Sequence, residues 1–152
     1  MSVILQSLDR NADQQPEKPV IIGSTCTLSW QQLRTEVTAL ALQLQDSRCV
    51  GVLMDNAPAW IVTDLAALQA GIVNVPLPVF FSDEQLQHAV RDARIEAIIT
   101  DKPERVARLF AVRQRSGLEI AGRQYACLSL SGSRGAGHYG DTVKLTYTSG
   151  NR

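Results

Sequence analysis

The chain has 152 residues and a mass of 16.6 kDa, which suits one folded domain and leaves little room for a second. Hydrophobic residues make up 45% and charged residues 20%, a globular composition that excludes a disordered or fibrous chain. Fifteen basic side chains balance fifteen acidic ones, which argues against a surface dedicated to nucleic acid or anionic lipid.

No apolar run approaches the ~20 residues that a membrane-crossing helix needs. The first residues, Met1 to Asp9, carry no basic stretch and no small-residue cleavage site, so they are not read as a signal peptide. Cys26, Cys49 and Cys127 are odd in number and lie 23 and 78 residues apart. That spacing offers neither a metal pair nor a redox pair, and predicts thiols of a reducing, cytoplasmic setting.

Residues 2–13 place Ile4, Leu8 and Ala12 on one face of a short helix, which Pro16 and Pro19 end. Val20-Ile21-Ile22 and Thr25-Cys26-Thr27-Leu28 read as two strands around a tight turn. Ser29 and Gln32 form a capping box for a helix to about Gln45, with Leu33, Val37, Leu40, Ala41 and Leu44 as its apolar stripe. Cys49 to Met54 is nearly all apolar, as a strand covered on both faces must be. Asp55 and Asn56 then cap a helix that holds Pro58 in its first turn and stops at Gly71.

Ile72 to Val75 is a second buried-type strand, ended by Pro76 and Pro78. Ser82 and Gln85 make another capping box, opening a helix with Leu86, Ala89, Val90 and Ala93 inward. Ile95 to Thr100 is a third strand, and Asp101 to Glu104 open a further helix with Val106, Leu109 and Phe110 inward. The basic stretch from Arg91 to Arg115 carries only three net charges and reads as a solvated helix face. Tyr125 to Leu130 forms a fourth strand, Ser131 to Asp141 a Gly/Ser-rich loop, and Thr142 to Tyr147 an alternating strand that runs into Thr148-Ser149-Gly150. His88 and His138 lack a second ligand at metal spacing.

This order predicts an α/β fold: a layered, mostly parallel sheet flanked by helices. Ligands in such folds sit at the carboxyl ends of the strands. A strand ending in Thr-Ser-Gly can present hydroxyls and bare amides to phosphate oxygens, although a polar turn explains the same three residues.

Three stretches together resemble the adenylate-forming ligase superfamily, which includes acyl- and aryl-CoA ligases, fatty-acyl-AMP ligases, luciferases and the adenylation domains of non-ribosomal peptide synthetases. Leu28-Ser29-Trp30-Gln31-Gln32-Leu33 resembles the family's L-T/S-Y-x-E-L. Leu68 to Leu77 resembles L-x-A-G-x-x-x-V-P-L. Leu145-Thr146-Tyr147-Thr148-Ser149-Gly150 resembles the start of Y-T-S-G-T/S-T-G-x-P-K-G, the phosphate-binding loop. The first two are adequately explained by folding.

The resemblance implies that residues 1–152 form a single partial domain, the opening part of the family's N-terminal domain, with Thr148, Ser149 and Gly150 as its only ligand-contacting positions. No catalytic or metal-binding residue carries over. The implied parent couples ATP with Mg2+ to a small-molecule carboxylic acid, gives an acyl-adenylate, and passes the acyl group to CoA or to a phosphopantetheine carrier. Fatty acid metabolism is one setting for such chemistry. Asn151-Arg152 departs from the family pattern, so the chain is expected to be a truncated fragment, inactive by itself and prone to self-association through uncovered surface. Two other readings fit the residues: a stand-alone non-catalytic interaction module, and a small unrelated nucleotide-binding domain.

Overall fold

A computed structural model describes residues 2–22 and 26–132. The elements in chain order are α1 (Val3–Gln14), β1 (Pro19–Ile22), β2 (Cys26–Ser29), α2 (Trp30–Leu44), β3 (Cys49–Leu53), α3 (Ala57–Ala70), β4 (Val73–Pro76), α4 (Asp83–Ala93), β5 (Ala97–Thr100), α5 (Pro103–Leu109), β6 (Val112–Ile120) and β7 (Arg123–Leu130).

Side chains set most helix starts. Ser2 accepts from the Leu5 amide at 3.1 Å and opens α1. Both expected capping boxes form: Ser29 with Gln32 before α2, and Ser82 with Gln85 before α4. Asn56, rather than Asp55, caps α3 by accepting from the Ala59 amide at 3.0 Å. Gly71 ends α3 with φ +73°, the left-handed conformation that a side chain disfavours. In α1 the buried face is Leu5, Leu8 and Ala12; Ile4 is turned to solvent, one position off the expected stripe.

β1 and β2 pair antiparallel as a separate ribbon. Among the described residues the main sheet has five strands in the order β4-β3-β5-β7-β6. β3 pairs in parallel with both β4 and β5, while β7 runs antiparallel to β5 and β6. The sheet is therefore mixed: a parallel core of three strands extended by an antiparallel hairpin. The polar sequence of β6 hid this hairpin, because β6 is an edge strand among the described residues and its residues 113–117 face solvent. Its turn, Ala121-Gly122, holds both residues at positive φ, +52° and +82°. That geometry matches the right-handed twist of paired strands.

Alternation along the strands splits the core in two. Val50, Val52, Ala97 and Ile99 face a layer made of α1, α2 and α3. Cys49, Leu53, Val73, Val75, Ile98 and Leu128 face α4 and α5. Covering a sheet on both faces is what nearly unbroken apolar strands require. Gly51 on β3 is part of this packing: a Cβ there would meet Leu77 Cδ1 at 2.7 Å and Ile95 Cδ1 at 3.1 Å.

Candidate functional site

β3, β4 and β5 run in parallel, so their carboxyl ends come together at one end of the sheet. The strand order 4-3-5, with α3 on one face and α4 on the other, makes this end the place where chain direction diverges. Open α/β sheets bind ligands in such a crevice. Three loops form it: Met54-Asp55-Asn56, Leu77 to Phe81, and Asp101-Lys102.

A groove of about 620 Å³ opens between the first two loops and the start of α3. Its walls are mainly apolar, with Met54, Trp60 and Ile61 on one side and Pro78, Val79 and Phe80 on the other. Asp55 and Asn56 supply the polar part. The Trp60 indole N–H donates to the Met54 carbonyl at 2.8 Å and ties the first turn of α3 to the end of β3. Phe81 is buried and Phe80 is 67% exposed, their rings edge-to-face with centroids 5.9 Å apart.

Behind the groove, Arg105 binds the Phe81 carbonyl at 2.8 Å and the Asp83 carboxylate at 3.0 Å, with Arg108 on the other Asp83 oxygen at 3.3 Å. The Arg105 hydrogen bond, with Arg108 assisting, lowers the Asp83 pKa below its ordinary value. On the third loop, Thr100 is fully buried and its Oγ1 accepts from the Lys102 amide at 2.9 Å. These contacts hold the loops in place and leave their outer surface to whatever binds there.

The residues expected to contact phosphate, Thr148, Ser149 and Gly150, lie outside the described residues, as do residues 142–147, expected as a strand, and most of the Gly/Ser-rich stretch. Of the other sequence candidates, His88 is exposed on α4. Cys49 is buried; Cys26 and Cys127 are half-buried, and burial pushes the Cys127 thiol up, away from the reactive thiolate. The basic stretch does not form one face: Arg105 is engaged with Asp83, whereas Arg113 and Arg115 lie on β6. Among the described residues no three His, Cys, Asp or Glu side chains converge to hold a metal ion, so no step through Mg2+ is assigned to them. Among them too, no helix is long and apolar enough to cross a membrane. The groove itself went unread in the sequence. Its signal was the clustering of Trp60, Pro78, Val79 and Phe80 around two strand ends.

Residues 8–150 match the family model of the AMP-binding enzymes. The chain belongs to that family, the adenylate-forming ligases. Bacitracin synthase 3 of Bacillus licheniformis is 24% identical over a stretch that takes in 97% of this chain and 2% of that protein. Tyrocidine synthase 1 of Brevibacillus parabrevis is 27% identical over 65% of this chain and 10% of that protein. The inhibitor-bound N-terminal domain of FACL13 from Mycobacterium tuberculosis superposes with a TM-score of 0.61 at 16% identity, covering 71% of this chain and 29% of that one. This AMP-binding chain thus spans a tenth or less of either synthase and under a third of that domain. The α/β layers and mixed sheet are those of the N-terminal domains of adenylate-forming enzymes.

Proposed function

We propose that this chain is the opening part of an ATP-dependent carboxylate-activating ligase, a single partial domain in which Thr148, Ser149 and Gly150 begin the ATP phosphate loop. The full enzyme joins ATP, with Mg2+, to a small carboxylic acid and releases pyrophosphate. The acyl-adenylate then passes its acyl group to a thiol. The observation that carries this reading is the family match across residues 8–150, which takes in all three motifs in order. An amino acid is the favoured acid, because one solved neighbour is described as a non-ribosomal peptide synthetase with α-methyl-L-serine-AMP bound; the thiol is that of CoA or of a carrier protein. A cytoplasmic setting goes with that chemistry.

The chain by itself is proposed to be inactive. Adenylyl transfer depends on donors and cations positioned around the phosphates. The described residues supply the scaffold at the carboxyl end of the sheet and no group of three His, Cys, Asp or Glu side chains that could hold a metal ion. The test is ATP–pyrophosphate exchange over a panel of amino acids and fatty acids. The chain alone is expected to stay at background and to show no resolvable heat on titration with ATP. The same chain within its full-length parent is expected to exchange with one acid class. Tight ATP binding by the chain alone would overturn the partial-site reading and favour a small self-sufficient nucleotide-binding domain.

A further inference from the structure

We propose that β6 is a self-pairing edge: two copies of this chain join antiparallel along Gln114 to Ile120, about a two-fold axis at Gly117. The pairing does not depend on the ligase reading.

Among the described residues β6 is an edge strand, and with nine residues it is the longest strand of the sheet. Residues 113–117 and Glu119 are exposed. The two-residue turn Ala121-Gly122 closes on Ile120 and Arg123, which exchange hydrogen bonds. Alternation back along β6 turns the backbone groups of Leu118, Ser116 and Gln114 toward β7. It leaves the amides and carbonyls of Glu119, Gly117 and Arg115 pointing outward. The irregularity of this pairing lies between Val112 and Gln114, outside that stretch.

Charge on an edge strand usually repels a second copy. Here the charges match. Arg115 and Glu119 share one face of β6 and flank Gly117 symmetrically. With Gly117 opposite Gly117 of the other copy, each Arg115 stands opposite a Glu119, with Cβ atoms about 5 Å apart. The residues whose backbone groups point outward are then the ones that meet. Centring the pair on Arg115 or on Glu119 sets like charges against each other. Centring it on Ser116 runs Glu119 into the irregularity at Arg113, and centring it on Leu118 runs Arg115 into the turn at Ala121. Within its own chain Arg115 has Glu104 at 3.9 Å, both side chains more than half exposed.

Gly117 itself points the same way. Its φ is not positive, and a Cβ there would meet nothing within 4 Å. Neither backbone nor packing within the chain calls for glycine. A glycine inside a strand weakens it and suits the close approach of another backbone. A cleft of about 220 Å³ also lies beside this edge, with Thr35, Ala39 and Gln43 of α2 over Leu118 and Ile120. Its strand residues come from β6 alone, so it opens on the outer side. The proposed register sets Gln114 and Ser116 of the other copy opposite Ile120 and Leu118, beside the cleft. The β4 edge is less suited to self-pairing: it has four residues and ends in Pro76, which has no amide to offer.

Sedimentation equilibrium of the full 152-residue chain, without nucleotide, tests the pairing. Wild type is expected to show a reversible monomer–dimer equilibrium. Arg115→Glu and Glu119→Arg each set like charges together at both ends and are expected to weaken the dimer about tenfold. An equimolar mixture of the two variants is expected to recover it, because every changed charge then meets its opposite. Gly117→Pro removes an outward amide and costs the chain's own ladder no bond, so it is expected to abolish the dimer while circular dichroism shows a folded chain. A wild-type chain that stays monomeric at every concentration overturns the proposal. A dimer that survives Gly117→Pro, or a mixture no tighter than the single variants, overturns it too. Should a charge variant fail to fold, Gly117→Pro decides by itself. No readout involves ATP, so failure here is distinguishable from failure of the ligase reading.

Discussion

The helices on the two faces of the sheet are finished differently. α4 presents Glu84, Gln85, His88, Arg91 and Asp92 to solvent and buries Leu86, Ala89, Val90 and Ala93. It is an amphipathic helix made for water. α3 is apolar over most of its surface, with Thr63, Asp64 and Gln69 as its polar residues. It buries its small residues, Ala59, Val62, Thr63, Ala66 and Ala67, and leaves the larger Trp60, Ile61, Leu65 and Leu68 only half covered. A mostly apolar helix is less suited to facing water than an amphipathic one. Among the described residues, then, the α4 face carries a polar outer surface, whereas the α3 side keeps large apolar side chains partly exposed.

The sharpest way to break this contrast is to disturb the packed α4 face, once by removing atoms and once by adding them. Leu86→Ala removes a fully buried leucine of α4 and should cost about 2–5 kcal/mol in urea unfolding. Gly51→Ala forces a Cβ against Leu77 and Ile95 on the same face and should cost about 1–3 kcal/mol, measured the same way. A near-neutral Gly51→Ala would show that the α4 face yields where it has been described as full.

Caps allow a finer comparison. Asn56→Ala opens α3 and Ser82→Ala opens α4; each should cost about 1 kcal/mol, since each loses one side-chain acceptor for an N-terminal amide. Next comes Asp83 at the start of α4. Its pKa is lowered by the Arg105 hydrogen bond, so its contribution to stability is present above the ordinary carboxylate value of 3.8 and is lost as pH falls through the lowered one. Asp83→Asn should therefore be less stable than wild type at neutral pH, with the gap closing in acid and narrowing in high salt. The smallest effect is expected at Ile61, 39% exposed on α3. Ile61→Ser should change stability by no more than about 0.5 kcal/mol. A cost like that of Leu86→Ala would show that the α3 side is already closed.

Much of this was legible in the sequence because it rests on local rules. The Ser29/Gln32 and Ser82/Gln85 boxes, the Gly71 stop and the double-sided apolar run of Cys49 to Leu53 each depend on neighbours a few residues away. The hairpin of β6 and β7 was half legible. Tyr125 to Leu130 alternates with burial, but β6 is exposed over most of its length and carries no such signal. The Leu5 face of α1 was missed by one position because Ile4 and Leu5 are equally apolar, and only the packing against α2 chooses between them.

By itself, the sequence determined the α/β class, the helix caps, the parallel core strands and the likeness to adenylate-forming ligases, because periodicity, capping and motif order are written along the chain. Only the tertiary structure decided that the sheet is mixed, that β4 is an edge among the described residues, and that Trp60 and Phe80 line one groove. Those features join residues far apart in the chain, and nothing in local spacing encodes which of two apolar surfaces is left for something else to cover.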